Sequence, residues 1–341
     1  MRIYVIGAGA MGSLYGGLLA RSGCEVIFVD RWREHMDAVA ADGLRLSGIT
    51  GDFTVPVRAI YASEEAGMLA DGGDGDIAII LTDANSTAFA ASLAKRLLKP
   101  GGYALTLQNG IGNIEALEAE LGRPRVIGGL SYHSAAMVEP GHAIHTHKGP
   151  TWIGELDGTP SARVSALATM LSDAGFKPQI VADILGQIWT KFIHNCAINP
   201  VSALTGLRVG EISRVAEADA LQSAIIEEAL AVVAAKGIAL VDSDPMASIK
   251  KFCLAKFNKP SMLQHMEQGR RTEIDALNGA LVREGRALGI ATPYNEAVTW
   301  MVAAMQHQNM QVMHGAPIDY EALEAEIKGG AAADRSEDEE T

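Results

Sequence analysis

Cysteine is scarce in this chain of 341 residues, with three in all: Cys24, Cys196 and Cys253. An odd number so widely spaced excludes a disulfide framework or a cysteine-rich metal knuckle and fits a reducing compartment, so the cytoplasm is the expected location. Aromatic residues make up 5%, too few for platforms that stack bases or sugars. Positive charge is also short: 28 Lys and Arg stand against 41 Asp and Glu, a net of −13. So acidic a chain repels polyphosphate at long range unless basic residues gather locally, and no nucleic-acid partner is expected. No run of about 18 uncharged apolar residues occurs, which argues against a membrane-spanning helix. Arg2 and the apolar stretch to Ala20 mimic a signal peptide, but five glycines from Gly7 to Gly17 predict a turn where a leader needs an apolar helix.

Glycine, by contrast, is plentiful at 36 residues, and 48% of the chain is apolar, a composition suited to a soluble globular protein with two cores. From Met1 to about Asp183, short apolar runs alternate with amphipathic stretches, the pattern of strand–helix units on a parallel sheet. The pattern predicts strands at Arg2–Gly7, Glu25–Asp30, Ile77–Thr82, Tyr103–Leu107 and Val126–Tyr132, with helices at Met11–Ser22, Ser86–Leu98 and Ile114–Leu121. Hairpins are expected over Leu44–Tyr61 and His142–Leu156. After Asp183 apolar residues recur at spacings of three and four, predicting helices at Asp183–Ile198 (stopped by Pro200), Ala216–Lys236, Thr272–Leu288 and Pro293–His307. The expected fold is thus α/β: a Rossmann-type dinucleotide-binding domain over 1–182, then an all-helical domain over 183–330. The stretch 331–341 carries Asp334, Glu337, Asp338, Glu339 and Glu340 against Arg335 and reads as an acidic disordered tail.

Gly7-Ala8-Gly9-Ala10-Met11-Gly12 is a G-x-G-x-x-G between a strand and a helix. The first glycine makes the tight turn, the second lets backbone amides approach a pyrophosphate, and the third allows close helix–strand packing. The helix N-terminus adds partial positive charge. Asp30 ends the second strand, where a carboxylate bonds the adenosine ribose and favours NAD. Arg31 and Arg33 follow at once, and a guanidinium there can clamp a 2′-phosphate and favour NADP. The two signals oppose each other, and both cofactors stay open.

Lys191, Asn195 and Asn199 are four residues apart in a predicted helix, so their side chains share one stripe. Gln108-Asn109-Gly110-Ile111-Gly112 follows a strand, at the sheet edge where ligands of doubly wound folds bind. Ser261 and Thr272, on spacing alone, are ordinary helix caps. His142, His145 and His147 alternate on a strand, but no carboxylate or cysteine completes a ligand set, so no metal site is expected.

The glycine fingerprint, Gln108-Asn109-Gly110, the Lys191-x-x-x-Asn195-Cys196-x-Ile198-Asn199-Pro200 block and the Ser261-Met262-Leu263-Gln264 … Thr272-Glu273-Ile274-Asp275 block occur in one order over residues 1 to about 300. Together they resemble the ketopantoate reductase (2-dehydropantoate 2-reductase) family. The resemblance implies an active site in the cleft between the two domains and reduction of the 2-ketone of ketopantoate to pantoate by NADPH. It also implies Lys191 as general acid, Glu273 as its positioning partner, and Asn195, Asn199 and Ser261 as substrate ligands. Asn109 would lie between nicotinamide and substrate, Ser134 would touch the cofactor, and Arg31 would meet the 2′-phosphate. NADP(H) is therefore the cofactor the family implies. NAD(H) stays in view because of Asp30 and because Asp83 stands where the family carries a lysine. Arg208, where many members carry an amide, leaves another branched or dicarboxylic 2-keto acid as an alternative substrate. A nucleotide sensor without turnover would have no use for Lys191 and Glu273. The sequence leaves the oligomeric state open, with a homodimer among the options.

Overall fold

The computed structural model describes residues 1–63, 73–316, 318–321 and 324, so the stretch 331–341 read as an acidic tail lies outside the described residues. The N-terminal part runs β1 (Arg2–Ile6), α1 (Ala10–Arg21), β2 (Glu25–Asp30), α2 (Arg33–Asp42), β3 (Leu44–Gly48), β4 (Phe53–Val55), β5 (Arg58–Tyr61), β6 (Gly75–Ile80), α3 (Thr87–Leu97), β7 (Leu98–Thr106), α4 (Asn113–Leu121) and β8 (Val126–Ser131). It continues with β9 (Ser134–Glu139), β10 (His142–His147), β11 (Thr151–Glu155), α5 (Ala162–Asp173) and β12 (Pro178–Ile180). Helices follow: α6 (Ile184–Thr205), α7 (Val209–Ile212), α8 (Ala216–Ala235), α9 (Pro245–Leu254), α10 (Ser261–Glu267), α11 (Asn278–Ala287) and α12 (Pro293–His314). Among the described residues no helix is long and apolar enough to cross a membrane.

Among the described residues eight strands form one sheet in the order β12-β11-β8-β7-β6-β1-β2-β5. From β8 to β5 all neighbours are parallel, while β11 and β12 run the opposite way. The central strands read as unbroken apolar runs because both faces are covered. Ile3, Val5, Ile77 and Ile79 enter one core with α1 and α5, whereas Tyr4, Ile6, Ala78 and Ile80 enter another with α3 and α4. Parallel strands send their C-terminal ends to one edge, and this edge gathers the loops after β1, β2, β6, β7 and β8. A third core, centred on Phe192, Ile193 and Cys196 of α6, lies within the helical part.

Four expectations need correction. The expected hairpin over His142–Leu156 does not form: β10 pairs with β9 and β3 in a separate four-stranded sheet, while β11 pairs with β8 in the large one. Gly149-Pro150 breaks the chain between the two sheets. The hairpin expected over Leu44–Tyr61 is restricted to β3 and β4, and β5 joins β2 in parallel.

Pro200 does not stop α6, which runs through it to a left-handed Gly206. A proline leaves the carbonyl four residues back without its amide, and here the Asn278 side chain supplies the missing donor to the Cys196 carbonyl at 3.1 Å. The helix expected from Thr272 begins only at Asn278. The Thr272 amide and hydroxyl both donate to the Gln306 side chain, at 2.6 and 2.8 Å, which holds 272–277 as a turn ahead of the helix.

Candidate active site

The loop after β1 turns at Gly7, whose φ of 94° favours glycine and whose added Cβ would meet Thr82 N at 2.4 Å. A Cβ on Gly12 would meet the Gly7 carbonyl oxygen at 1.8 Å, so the third glycine is required by packing. A Cβ on Gly9 would meet no protein atom within 4 Å; it would project into the space on which the first amides of α1 open. No side chain caps that helix, leaving the amides around Ala10 and Met11 free for an anion. The loop therefore fits a dinucleotide pyrophosphate. Asp30 has a task beyond ribose recognition: its carboxylate accepts from Ala8 N at 2.6 Å and from Trp32 N at 2.8 Å, tying the loop to the end of β2.

Arg31 donates to Ser86 Oγ at 2.9 Å, and its guanidinium lies 5.1 Å over the Phe89 ring. Ser86 Oγ in turn lies 3.3 Å from both Asp83 carboxylate oxygens. The arginine is thus held across the groove between β2 and the loop after β6, with a carboxylate behind its anchor. Arg33 stacks 4.2 Å over Tyr61.

Gln108 knits the next loop together. Its Nε2 donates to Thr82 O and Thr82 Oγ1 at 3.1 Å and to Thr87 Oγ1 at 2.8 Å. Thr87 Oγ1 bonds Asn113 Oδ1 at 2.6 Å, and Asn113 Nδ2 bonds the Asn109 carbonyl at 2.9 Å. With its backbone fixed in this way, Asn109 extends its side chain toward the helical part and donates to Glu273 Oε2 at 3.2 Å. Gly110 has φ 86°, and a Cβ there would lie 2.6 Å from the Ala276 carbonyl. Glycine at that position lets the loop press on the turn that carries Glu273.

Lys191 projects from α6 across the cleft. Its Nζ donates to the Ser131 carbonyl, the last residue of β8, at 2.7 Å and lies 5.1 Å over the Tyr132 ring. Burial lowers its pKa to about 8, and the Glu273 carboxylate pulls the other way. Burial likewise raises the Glu273 pKa, opposed by the Asn109 hydrogen bond and by Lys191 and assisted by Asp83. Lys191 and Glu273 therefore sense each other's charge while each bonds a different partner.

Asn195 and Asn199 continue the Lys191 stripe, and neither carboxamide hydrogen-bonds another described residue. Ser261 is the first residue of α10, exposed and uncapped, on a helix packed against α6. Ser134 is placed differently: it opens β9 opposite His147 in the small sheet. Arg208 donates to the Phe257 carbonyl at 3.1 Å, which commits it to the loop before α10. Ser131, Tyr132 and Ser86 escaped the sequence reading. A backbone carbonyl has no residue signature, and Ser86 gains meaning only once α3 brings it opposite Arg31.

A sequence profile described as ketopantoate reductase PanE/ApbA matches residues 3–158, and its C-terminal counterpart matches residues 183–306. A 2-dehydropantoate 2-reductase of Archaeoglobus fulgidus is 33% identical over 307 residues, covering 89% of this chain and 98% of its own. The protein of the same name from Mesorhizobium japonicum is 31% identical, covering 89% and 97%. Among solved structures, a PanE/ApbA family ketopantoate reductase from Ralstonia eutropha superimposes with a TM-score of 0.81 at 33% identity, over 91% of this chain and 99% of that one. A D-mandelate dehydrogenase, solved with NADH and anilino(oxo)acetate, gives 0.82 at 27% identity over 91% and 99%.

Proposed function

The chain belongs to the ketopantoate reductase family, and from that premise we propose that it reduces the 2-ketone of 2-dehydropantoate to pantoate, a step toward pantothenate and coenzyme A. One observation carries the reading. A lysine ammonium whose pKa burial lowers to about 8 faces, across one cleft, the strand ends that bear a dinucleotide loop.

The bound dinucleotide supplies the hydride to the carbonyl carbon. Lys191 supplies the proton: one N–H holds the Ser131 carbonyl, and the ammonium retains further protons for the ketone oxygen. The C=O thus becomes CH–OH, with hydride on carbon and proton on oxygen. Before transfer, the positive charge stabilises negative charge developing on that oxygen, and low local polarity strengthens the effect. At neutral pH a group of pKa about 8 is mostly charged yet gives up its proton more readily than an ordinary lysine. Glu273, oriented by Asn109, keeps the ammonium charged against the cost of burial. The uncommitted amides of Asn195 and Asn199 and the Ser261 hydroxyl bind the polar groups of the substrate.

For the cofactor we propose NADPH, with Arg31 at the 2′-phosphate. Asp30 is engaged by two backbone amides, which makes it an organiser of the loop. Asp83 behind Ser86 works against a 2′-phosphate and favours the second reading, an NADH-dependent reductase of another 2-keto acid.

Initial rates with 2-dehydropantoate and a panel of branched, aromatic and dicarboxylic 2-keto acids, each with NADPH and NADH, test both parts. The highest kcat/KM is expected for 2-dehydropantoate with NADPH. A higher value for another acid overturns the substrate, and an NADH preference overturns the role of Arg31.

A further inference from the structure

Between β8 of the large sheet and β9 of the small one, the chain crosses through Tyr132 and His133 alone. Side chains alternate along this extended segment. Ser131 points inward, its Oγ accepting from Tyr15 OH at 2.9 Å and from the His133 amide at 3.1 Å. Tyr132 points outward and puts its ring beneath Lys191. His133 turns inward again, edge-on to Tyr15 and Phe176, and is buried.

The His133 ring meets one polar partner among the described residues. Its Nδ1 lies 3.1 Å from Nε2 of His145, a buried residue of β10. The same Nε2 lies 2.8 Å from the His147 carbonyl. A carbonyl only accepts, so His145 Nε2 carries the proton and His133 Nδ1 is an acceptor. Burial, with His145, Lys148 and His147 adding to it, pulls His133 down to about 4, so the ring is neutral at ordinary pH. The two outer nitrogens, His133 Nε2 and His145 Nδ1, are buried without a hydrogen-bond partner among the described residues. Each such group costs about 1–3 kcal/mol, more than one ordinary hydrogen bond returns, so stability does not account for a histidine pair here.

We propose that His133, through its hydrogen bond from His145, is a positioning residue for Lys191. It pins the two-residue crossover so that the Ser131 carbonyl and the Tyr132 ring hold the ammonium in the cleft. The inference rests on Lys191 being the acid, and it adds to that reading a link between the small sheet and the acid.

A double-mutant cycle tests it. His133→Phe keeps an aromatic ring against Tyr15 and Phe176 but removes the acceptor. It is expected to lower kcat by about tenfold to a hundredfold, the scale of misplacing a reacting group, with KM for the dinucleotide unchanged. In a Lys191→Ala background the same substitution is expected to change the residual rate by less than about twofold, because the group it positions is gone. His133→Asn places a carbonyl oxygen where Nδ1 stood and is expected to restore most of the lost rate. Should His133→Phe fail to fold, His145→Asn, which withdraws the donor, enters the same cycle with the same expected loss. Equal loss in both backgrounds, or no loss from either substitution, overturns the proposal. Failure of the acid reading would appear separately, as near-normal turnover of Lys191→Ala alone.

Discussion

The glycine loop and the Lys191 stripe face one cleft from opposite sides, and they meet a ligand in different ways. The loop offers backbone amides, so its sequence is constrained by what side chains must not be there: Gly12 because a Cβ would strike Gly7, Gly9 because a Cβ would enter the space before α1. The stripe offers side chains on a rigid helix, and its chemistry depends on groups brought from elsewhere, namely Ser131, Tyr132, Asn109 and Glu273. Binding is thus assigned to a local, repetitive element. The proton is assigned to an element assembled over long sequence distances.

Removing the acid gives the largest test of that division. Lys191→Ala is expected to lower kcat by about two to four orders of magnitude, the scale of losing a general acid, while the dinucleotide dissociation constant stays within about twofold. Fluorescence titration of NADPH beside steady-state kinetics checks both halves. A parallel loss of cofactor affinity would show that the two sides of the cleft are not separable.

The contrast also explains which parts of the molecule were legible in the sequence. Gly7, Gly9 and Gly12 announce themselves because only glycine meets the steric demand at each position. Lys191, Asn195 and Asn199 appear on one stripe because the helical period is regular. Pro200 misled because the donor that replaces its missing amide, Asn278, is 82 residues away from Cys196. The turn at 272–277 misled in the same way, since Gln306 from α12 captures Thr272. The β9–β10 pairing was hidden by Gly149-Pro150, which resembles a hairpin turn but sits where the chain changes sheets. In each case a tertiary partner overrode a sound local signal.

Gly9→Ala sharpens the comparison from the other side. Gly9 has φ −60°, which alanine adopts freely, and its Cβ would meet no protein atom. Stability should stay within about 0.5 kcal/mol of the parent, as for an unobstructed substitution. Dinucleotide affinity should fall roughly tenfold to a hundredfold, equivalent to about 1–3 kcal/mol of overpacking against the phosphates. Thermal unfolding and titration together decide it, and unchanged affinity would remove the pyrophosphate from this loop.

The smallest expected effect lies in the pH profile. For ketone reduction the ammonium form of Lys191 is the active one, so kcat should decline as pH rises through about 8. Glu273 raises that pKa by favouring the charged form, against the larger opposing effect of burial. Glu273→Gln removes the charge and retains an oxygen for the Asn109 amide, so the pKa of Lys191 should fall and the alkaline limb should move to lower pH. The shift should be below about one unit, because charges that are not in contact interact weakly even in a partly desolvated cleft. Movement to higher pH would mean that Glu273 was not supporting the ammonium. An unmoved limb with an unchanged kcat would confine Glu273 to holding Asn109, and the chemistry of the cleft would then rest on Lys191 and the groups at the end of β8.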